Sequence, residues 1–159
     1  MFSTRNDLPR VTRTKLIDLL DARLADATDL QTQLKQAHWN VKGPAFIALH
    51  ELFDKINEAV EDYVDDLAER VVQLGGVAHG TARQVAKHST LPEFPGVTSG
   101  HDHVEAVATV LAAFGKLARA GIERADKLGD KDTADLFTEI SRGTDKWLWF
   151  VEAHLQADR

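Results

Sequence analysis

Prolines and glycines divide this chain into four long uninterrupted stretches. The 159 residues include only four prolines, at positions 9, 44, 92 and 95, and glycines stand at the other breaks. Proline interrupts a helix and glycine often ends one, so a long stretch between such residues favours a helix. The predicted helices cover residues 12–41, 44–74, 101–128 and 131–156.

Each stretch carries apolar residues at steps of three and four, which is the spacing of one helical face. In the first stretch these residues are Leu16, Leu20, Leu24, Ala27, Leu30, Leu34 and Ala37. A helix of this size is about 40 Å long, which is the proportion found in four-helix bundles. The apolar faces are too wide for the narrow seam of a long dimeric coiled coil, the structural rival.

The connections decide the topology of this bundle. Short turns at residues 42–44 and 129–130 make the helices on either side of each turn antiparallel. The 24 residues from Gly75 to Thr98 allow a crossover between the two hairpins and predict a short helix over residues 82–87. We therefore expect an all-α, ferritin-like four-helix bundle as a single domain over residues 1–159, with residues 1–14 forming a mobile basic tail.

Composition excludes several kinds of chemistry. Cysteine is absent, which excludes disulfides, thiolate nucleophiles, iron–sulfur clusters and cysteine zinc sites. The 19 basic and 25 acidic side chains give a net charge of −6, which argues against a broad basic surface for nucleic acid. Because no apolar run approaches the roughly 20 residues that span a bilayer, we expect a soluble, cytoplasmic protein without a membrane partner.

The second predicted helix carries most of the excess negative charge. Between His50 and Leu74 there are eight acidic residues and two basic ones. The acidic residues are Glu51, Asp54, Glu58, Glu61, Asp62, Asp65, Asp66 and Glu69. Like charges one turn apart on a helix repel each other, so this arrangement requires some compensation.

The spacing of this helix suggests metal ligands. Asp54 and Asp65 lie on one face, because the eleven steps from one to the other turn a helix to within about 20° of a whole number of turns. His50 precedes Asp54 by one turn and Glu69 follows Asp65 by one turn. His38 lies as far before Pro44 as His50 lies after it, so a helical hairpin brings the two histidines to the same height. Histidines with carboxylates suit iron, manganese or zinc.

One chain cannot unite these ligands around a single ion. Asp54 and Asp65 are separated by about 16 Å along the helix, which no metal with bonds near 2 Å can span. A two-fold axis near Ala59-Val60 would place Asp54 of one chain opposite Asp65 of another and create two complete sites per dimer. The alternative is a merely solvated acidic face whose histidines are incidental.

Several motifs resemble the Dps family, the DNA-binding proteins from starved cells, also called mini-ferritins. The resemblance covers nearly the whole chain. Its motifs are AHWNVKGP at residues 37–44, Phe46, Leu49-His50, Leu52-Phe53-Asp54, Asp65, Ala68-Glu69-Arg70, Leu74-Gly75-Gly76, Thr133-Ala134-Asp135-Leu136-Phe137 and Trp147-Leu148-Trp149-Phe150. No glutamate is followed three residues later by histidine, so the in-bundle site of ordinary ferritins is absent.

The resemblance implies an iron-handling function in oxidative stress. The family's ferroxidase ligands correspond to His38, His50 and Asp54 on one subunit and to Asp65 and Glu69 on its partner. The implied assembly is a homododecamer built from two-fold dimers, which oxidises Fe(II), preferably with hydrogen peroxide, and stores a ferric mineral. The family position of Trp39 suggests a trap for stray oxidising equivalents, with a plain packing role as the alternative. Lys35 lies near the site and is expected to pair with a carboxylate.

Two weaker sets of residues also follow from the resemblance. Acidic residues near the last turn line the pores that admit Fe(II) in the family, with helix caps and surface carboxylates as the alternative. Basic residues near the amino terminus are candidate DNA contacts, which would make the protein nucleoid-associated, and the alternative is a solvated tail or a contact between subunits. The pore candidates are Asp126, Asp130, Asp132 and Asp135, and the DNA candidates are Arg5, Arg10, Arg13 and Lys15. The alternative to a ferroxidase is a non-catalytic DNA-coating protein.

Overall fold

The computed structural model describes residues 1–156, which form five α-helices and, within that range, no strand. The helices are α1 (Arg10–Asn40), α2 (Phe46–Gln73), α3 (Ala82–His88), α4 (Gly100–Lys127) and α5 (Lys131–Gln156). The all-α prediction is confirmed, as is the short helix in the crossover. The last three residues of the predicted domain lie outside the described residues.

Two antiparallel hairpins make up the bundle. Helix α1 packs along α2, α4 packs along α5, and the crossover with α3 lies against α1. Contacts of α1 with α4 and of α2 with α5 join the hairpins. The core between them includes Phe53, Phe114 and Phe137, all of which are fully buried. One face of α2 remains uncovered by the rest of the chain.

Glycines end the helices near the predicted breaks. Gly75 adopts a φ of +88°, a left-handed conformation that costs glycine little. The N–H groups of Gly75 and Gly76 donate to the carbonyls of Val72 and Val71, at 2.8 and 2.9 Å, and so end α2. At the first turn, the N–H of Phe46 donates to the carbonyl of Gly43, so α2 begins two residues after the predicted Pro44.

The amino terminus differs from the predicted tail over residues 1–14. Helix α1 begins at Arg10, so Arg10, Arg13 and Lys15 lie on a helix. The Arg13 side chain donates to the carbonyls of Leu8 and Leu74, both at 3.0 Å. The N–H of Phe2 donates to the carbonyl of Gly75 at 2.7 Å. The segment before α1 therefore lies against the end of α2.

None of the helices within residues 1–156 is both long and apolar enough to cross a membrane.

Candidate metal centre

Two histidines meet at the α1–α2 hairpin. The rings of His38 and His50 stack with their centroids 3.7 Å apart. The Nδ1 atom of each histidine lies 2.8 Å from the main-chain carbonyl oxygen of the other. A carbonyl oxygen can only accept, so each Nδ1 carries a proton and donates. In the neutral rings Nε2 then holds the free lone pair, which is the arrangement of a metal-binding histidine fixed by a carbonyl.

The hairpin itself produces this pairing. Val41 caps α1 through its N–H bond to the Ala37 carbonyl at 2.9 Å, and Gly43 turns the chain at a φ of +118°. The chain then re-enters a helix at Phe46, whose ring lies 5.1 Å from that of His50. Because the turn is short, His38 and His50 come to the same height, as their equal distances from Pro44 predict.

Asp54 lies one turn beyond His50 and is held by a lysine. The Lys35 ammonium of α1 lies 2.5 Å from Oδ1 of Asp54. This hydrogen bond lowers the pKa of Asp54 below its ordinary value of 3.8, against the smaller opposing effect of burial. The charges that His38 and His50 carry when protonated, and the charge of Lys35, act in the same lowering direction. Asp54 is therefore ionised, and a metal ion bound there would have to displace the lysine.

Asp65 and Glu69 lie further along α2, where both are exposed. Neither makes an ion pair with any residue of the described range 1–156. The unbroken helix from Phe46 to Gln73 separates Asp65 from Asp54 by about 16 Å. Within the described part of the chain, no three histidine or acidic side chains form a group that could hold a metal ion. The chain thus supplies two separate partial ligand sets.

Trp39 follows His38 and is exposed, with 67% of its surface accessible. It borders a long groove along α1 and the crossover, whose lining also includes Lys35, Asn57 and Glu61. The Trp39 ring therefore does not pack in the core of its own chain. This excludes the plain packing role within one chain that was the alternative to an oxidant trap.

Comparisons with known proteins decide the family. The sequence profile of the ferritin-like domain matches residues 17–159. A "DNA protection during starvation protein" of Agrobacterium fabrum is 44% identical over 154 residues, which cover 96% of this chain and 95% of that protein. This chain belongs to the Dps family.

Solved Dps structures have the same fold. The Dps of Mycobacterium smegmatis matches with a TM-score of 0.92 and 33% identity, covering 98% of this chain and 95% of that one. DpsA14 of Streptomyces coelicolor also matches with a TM-score of 0.92 and 36% identity. The match covers 97% of this chain and 92% of the DpsA14 chain. Membership of the Dps family therefore rests on sequence and structure together.

The four acidic pore candidates of this Dps chain occupy different environments. Asp130 is buried, accepts hydrogen bonds from Arg70 and caps α5 through the Thr133 N–H, so the prediction that it lines a pore is wrong. It faces inward because its carboxylate neutralises an arginine of α2. Asp126 is exposed and pairs with Lys131, while Asp132 and Asp135 are exposed.

Arg70 is the structural residue that sequence reasoning missed. It follows Glu69 on α2 and donates from Nη2 to both oxygens of Asp130, at 2.9 and 3.0 Å. Its Nε donates to Oγ1 of Thr133 at 3.0 Å. The partners are 60 residues apart or more, so no local pattern could reveal them. The interaction fixes the α4–α5 turn against the end of α2 that carries Glu69.

Proposed function

We propose that this protein is a ferroxidase that oxidises Fe(II) at sites shared between two chains and stores the ferric product inside a homododecamer. The observation that carries the proposal is the reciprocal hydrogen bonding of His38 and His50, which leaves both Nε2 atoms free as ligands. His50 lies one turn from Asp54 on α2. Dps family membership and the ferritin-like fold support it.

The second half of each site comes from a partner subunit in which α2 runs antiparallel. Asp54 lies as far before the Ala59-Val60 bond as Asp65 lies after it, and His50 and Glu69 are equally symmetric about that bond. A two-fold axis that crosses α2 at this bond places each half-site opposite the complementary half-site of the partner subunit. Each complete site then contains His38, His50 and Asp54 of one chain with Asp65 and Glu69 of the other.

The ligands suit the chemistry of iron as a substrate. Two Fe(II) ions each give one electron to hydrogen peroxide, whose O–O bond breaks and whose oxygens leave as water after taking up protons. The three carboxylates favour the harder Fe(III) product. Trp39, exposed beside His38, supplies an electron to stray oxidants, and the exposed carboxylates Asp126, Asp132 and Asp135 attract Fe(II) at the shell's pores.

The direct test is to mix the protein with Fe(II) and a stoichiometric amount of peroxide and to measure its native mass. We expect rapid oxidation, a mineral that stays in solution, and a particle of about twelve chains. Plasmid DNA at low salt provides the contrasting measurement. A DNA shift without iron oxidation would contradict the ferroxidase and favour a DNA-coating protein acting through the exposed Arg5, Arg10 and Lys15, since Arg13 is held by main-chain carbonyls.

Replacing Lys35 with methionine is expected to tighten metal binding severalfold. In the variant the metal ion no longer has to displace an ammonium from Asp54. The free energy of breaking the Lys35–Asp54 ion pair therefore no longer opposes metal binding. Titration calorimetry with Co(II), used in place of oxygen-sensitive Fe(II), measures this affinity.

Lys55→Met is the matched control for this substitution. Lys55 is exposed on α2 next to Asp54 but is not bonded to it, so its removal changes the charge without freeing the ligand. Equal tightening in both variants, or weaker binding in Lys35→Met, would contradict the proposed competition.

A further inference from the structure

A stripe along α2, exposed except at the half-buried His50 and Asp54, is symmetric in position and, apart from His50 and Glu69, in character. Running along the helix, its residues are Ile47, His50, Asp54, Glu58, Glu61, Asp65, Glu69 and Val72. Each member has a counterpart at the same distance on the other side of the Ala59-Val60 bond. The two ends are apolar and the middle is acidic. Ile47 is 61% exposed and Val72 is 58% exposed, although both are large aliphatic side chains.

These two apolar residues share a face with the candidate ligands. Ile47 precedes Asp54 by seven residues and Val72 follows Asp65 by seven, and seven residues bring a helix to within about 20° of two turns. The 25 helical steps from Ile47 to Val72 put them about 37 Å apart in one chain. Any contact between these two positions must therefore join two molecules.

A shallow pocket adjoins Val72. It is lined by Ala68, Glu69, Val72, Gln73 and Ala78. The two alanines leave room for a branched side chain, and the candidate ligand Glu69 is one of the lining residues. An antiparallel second copy of α2 would place its Ile47 at this pocket, because positions 47 and 72 are equidistant from the two-fold axis.

The acidic middle of the stripe does not favour association of two antiparallel copies of α2. Glu58 and Glu61 are both exposed, and the same axis places Glu58 of one copy opposite Glu61 of the other. Carboxylates facing each other oppose association. Attraction between the copies then comes from other residues, and the apolar ends of the stripe are exposed surfaces that can supply it.

We propose that Ile47 of each copy inserts into the pocket beside Val72 of its partner, forming two symmetry-related apolar anchors at the ends of the α2–α2 contact. The occupant of the pocket is thus a second copy of this chain. This inference rests on the two-fold arrangement of the proposed function and adds to it a determinant of assembly. Each anchor also borders Glu69, so it holds that carboxylate opposite His50 of the other copy.

The test uses charges placed on different chains. Ile47→Asp or Val72→Lys alone should weaken association across the two-fold contact of the assembly at least tenfold, because each puts a charge against an apolar partner in both anchors. Mixing the two variants should restore assembly. In a mixed dimer, one anchor pairs the introduced carboxylate with the introduced ammonium, and the other keeps Ile47 against Val72. Sedimentation across a concentration series measures the association.

The matched control mixes Ile47→Asp with Val72→Asp. This mixture also keeps one unaltered anchor, but its second anchor opposes two carboxylates, so we expect much weaker association than with Val72→Lys. Circular dichroism checks that each variant folds. Unchanged association in both single variants, or equal recovery in the two mixtures, would overturn the anchors.

Iron oxidation by the unaltered protein is measured separately. Oxidation without coupling between positions 47 and 72 would overturn only the anchors, whereas coupling without oxidation would support the anchors and contradict the ferroxidase.

Discussion

Replacing Arg70 with methionine is expected to lower the free energy of unfolding by about 3–5 kcal/mol, the usual cost of removing one partner from a buried ion pair. The Arg70 side chain is 12% exposed and that of Asp130 is 4% exposed. Without the guanidinium, the Asp130 carboxylate stays buried with only Thr133 to stabilise it. Chemical unfolding at neutral pH, followed by circular dichroism, measures the change.

The same substitution should alter the response to acid. Burial raises the pKa of Asp130, but hydrogen bonds from Thr133 and Arg70 outweigh it and hold the pKa below its ordinary value of 3.8. The stability from this carboxylate is therefore complete above its unfolded pKa and is lost as the pH falls through the lower folded pKa. In Arg70→Met the folded pKa of Asp130 rises toward or above that of the unfolded chain, so this carboxylate no longer contributes to acid destabilisation, and the stability gap between the unaltered protein and the variant narrows as the pH falls.

Arg119→Met provides the control, since it removes the same charge from an exposed pair. Arg119 lies 2.8 Å from Asp145, and their side chains are 50% and 55% exposed. Pairs of this kind contribute about 0–1 kcal/mol, so the loss should be small. Equal losses in the two variants would contradict the structural role assigned to Arg70.

Local signals in the sequence predict most of the fold. The placement of proline and glycine predicts the four long helices because those residues act on their own backbone. The meeting of His38 with His50 is also predictable, since a short helical turn fixes the relative height of positions equidistant from it.

Features that depend on distant contacts are less predictable. Helix α1 begins at Arg10, two residues earlier than expected, and Arg13 and Phe2 donate hydrogen bonds to carbonyls at the end of α2 that are far away in sequence. The inward orientation of Asp130 depends on Arg70, which is 60 residues away in sequence. The sequence around Asp130 allows both a cap and a pore residue, and only the packing of α2 against the last turn distinguishes them.

The shared site makes a strong prediction about mixtures of inactive variants. One variant carries His50→Ala with Asp54→Ala, and the other carries Asp65→Ala with Glu69→Ala. Either variant alone should oxidise iron only at the uncatalysed rate, because every site lacks two ligands. In a mixed dimer one site loses all four of these ligands, while the other receives His50 and Asp54 from one chain and Asp65 and Glu69 from its partner.

Co-refolding of the two variants followed by measurement of Fe(II) oxidation tests the shared site most directly. Random association makes about half of the dimers mixed, and each mixed dimer has one intact site of two, so about a quarter of the unaltered activity should return. Each variant refolded alone serves as the control, and the native mass verifies normal assembly. Mixtures that assemble normally yet oxidise iron no faster than the separate variants would contradict a site shared across the two-fold axis.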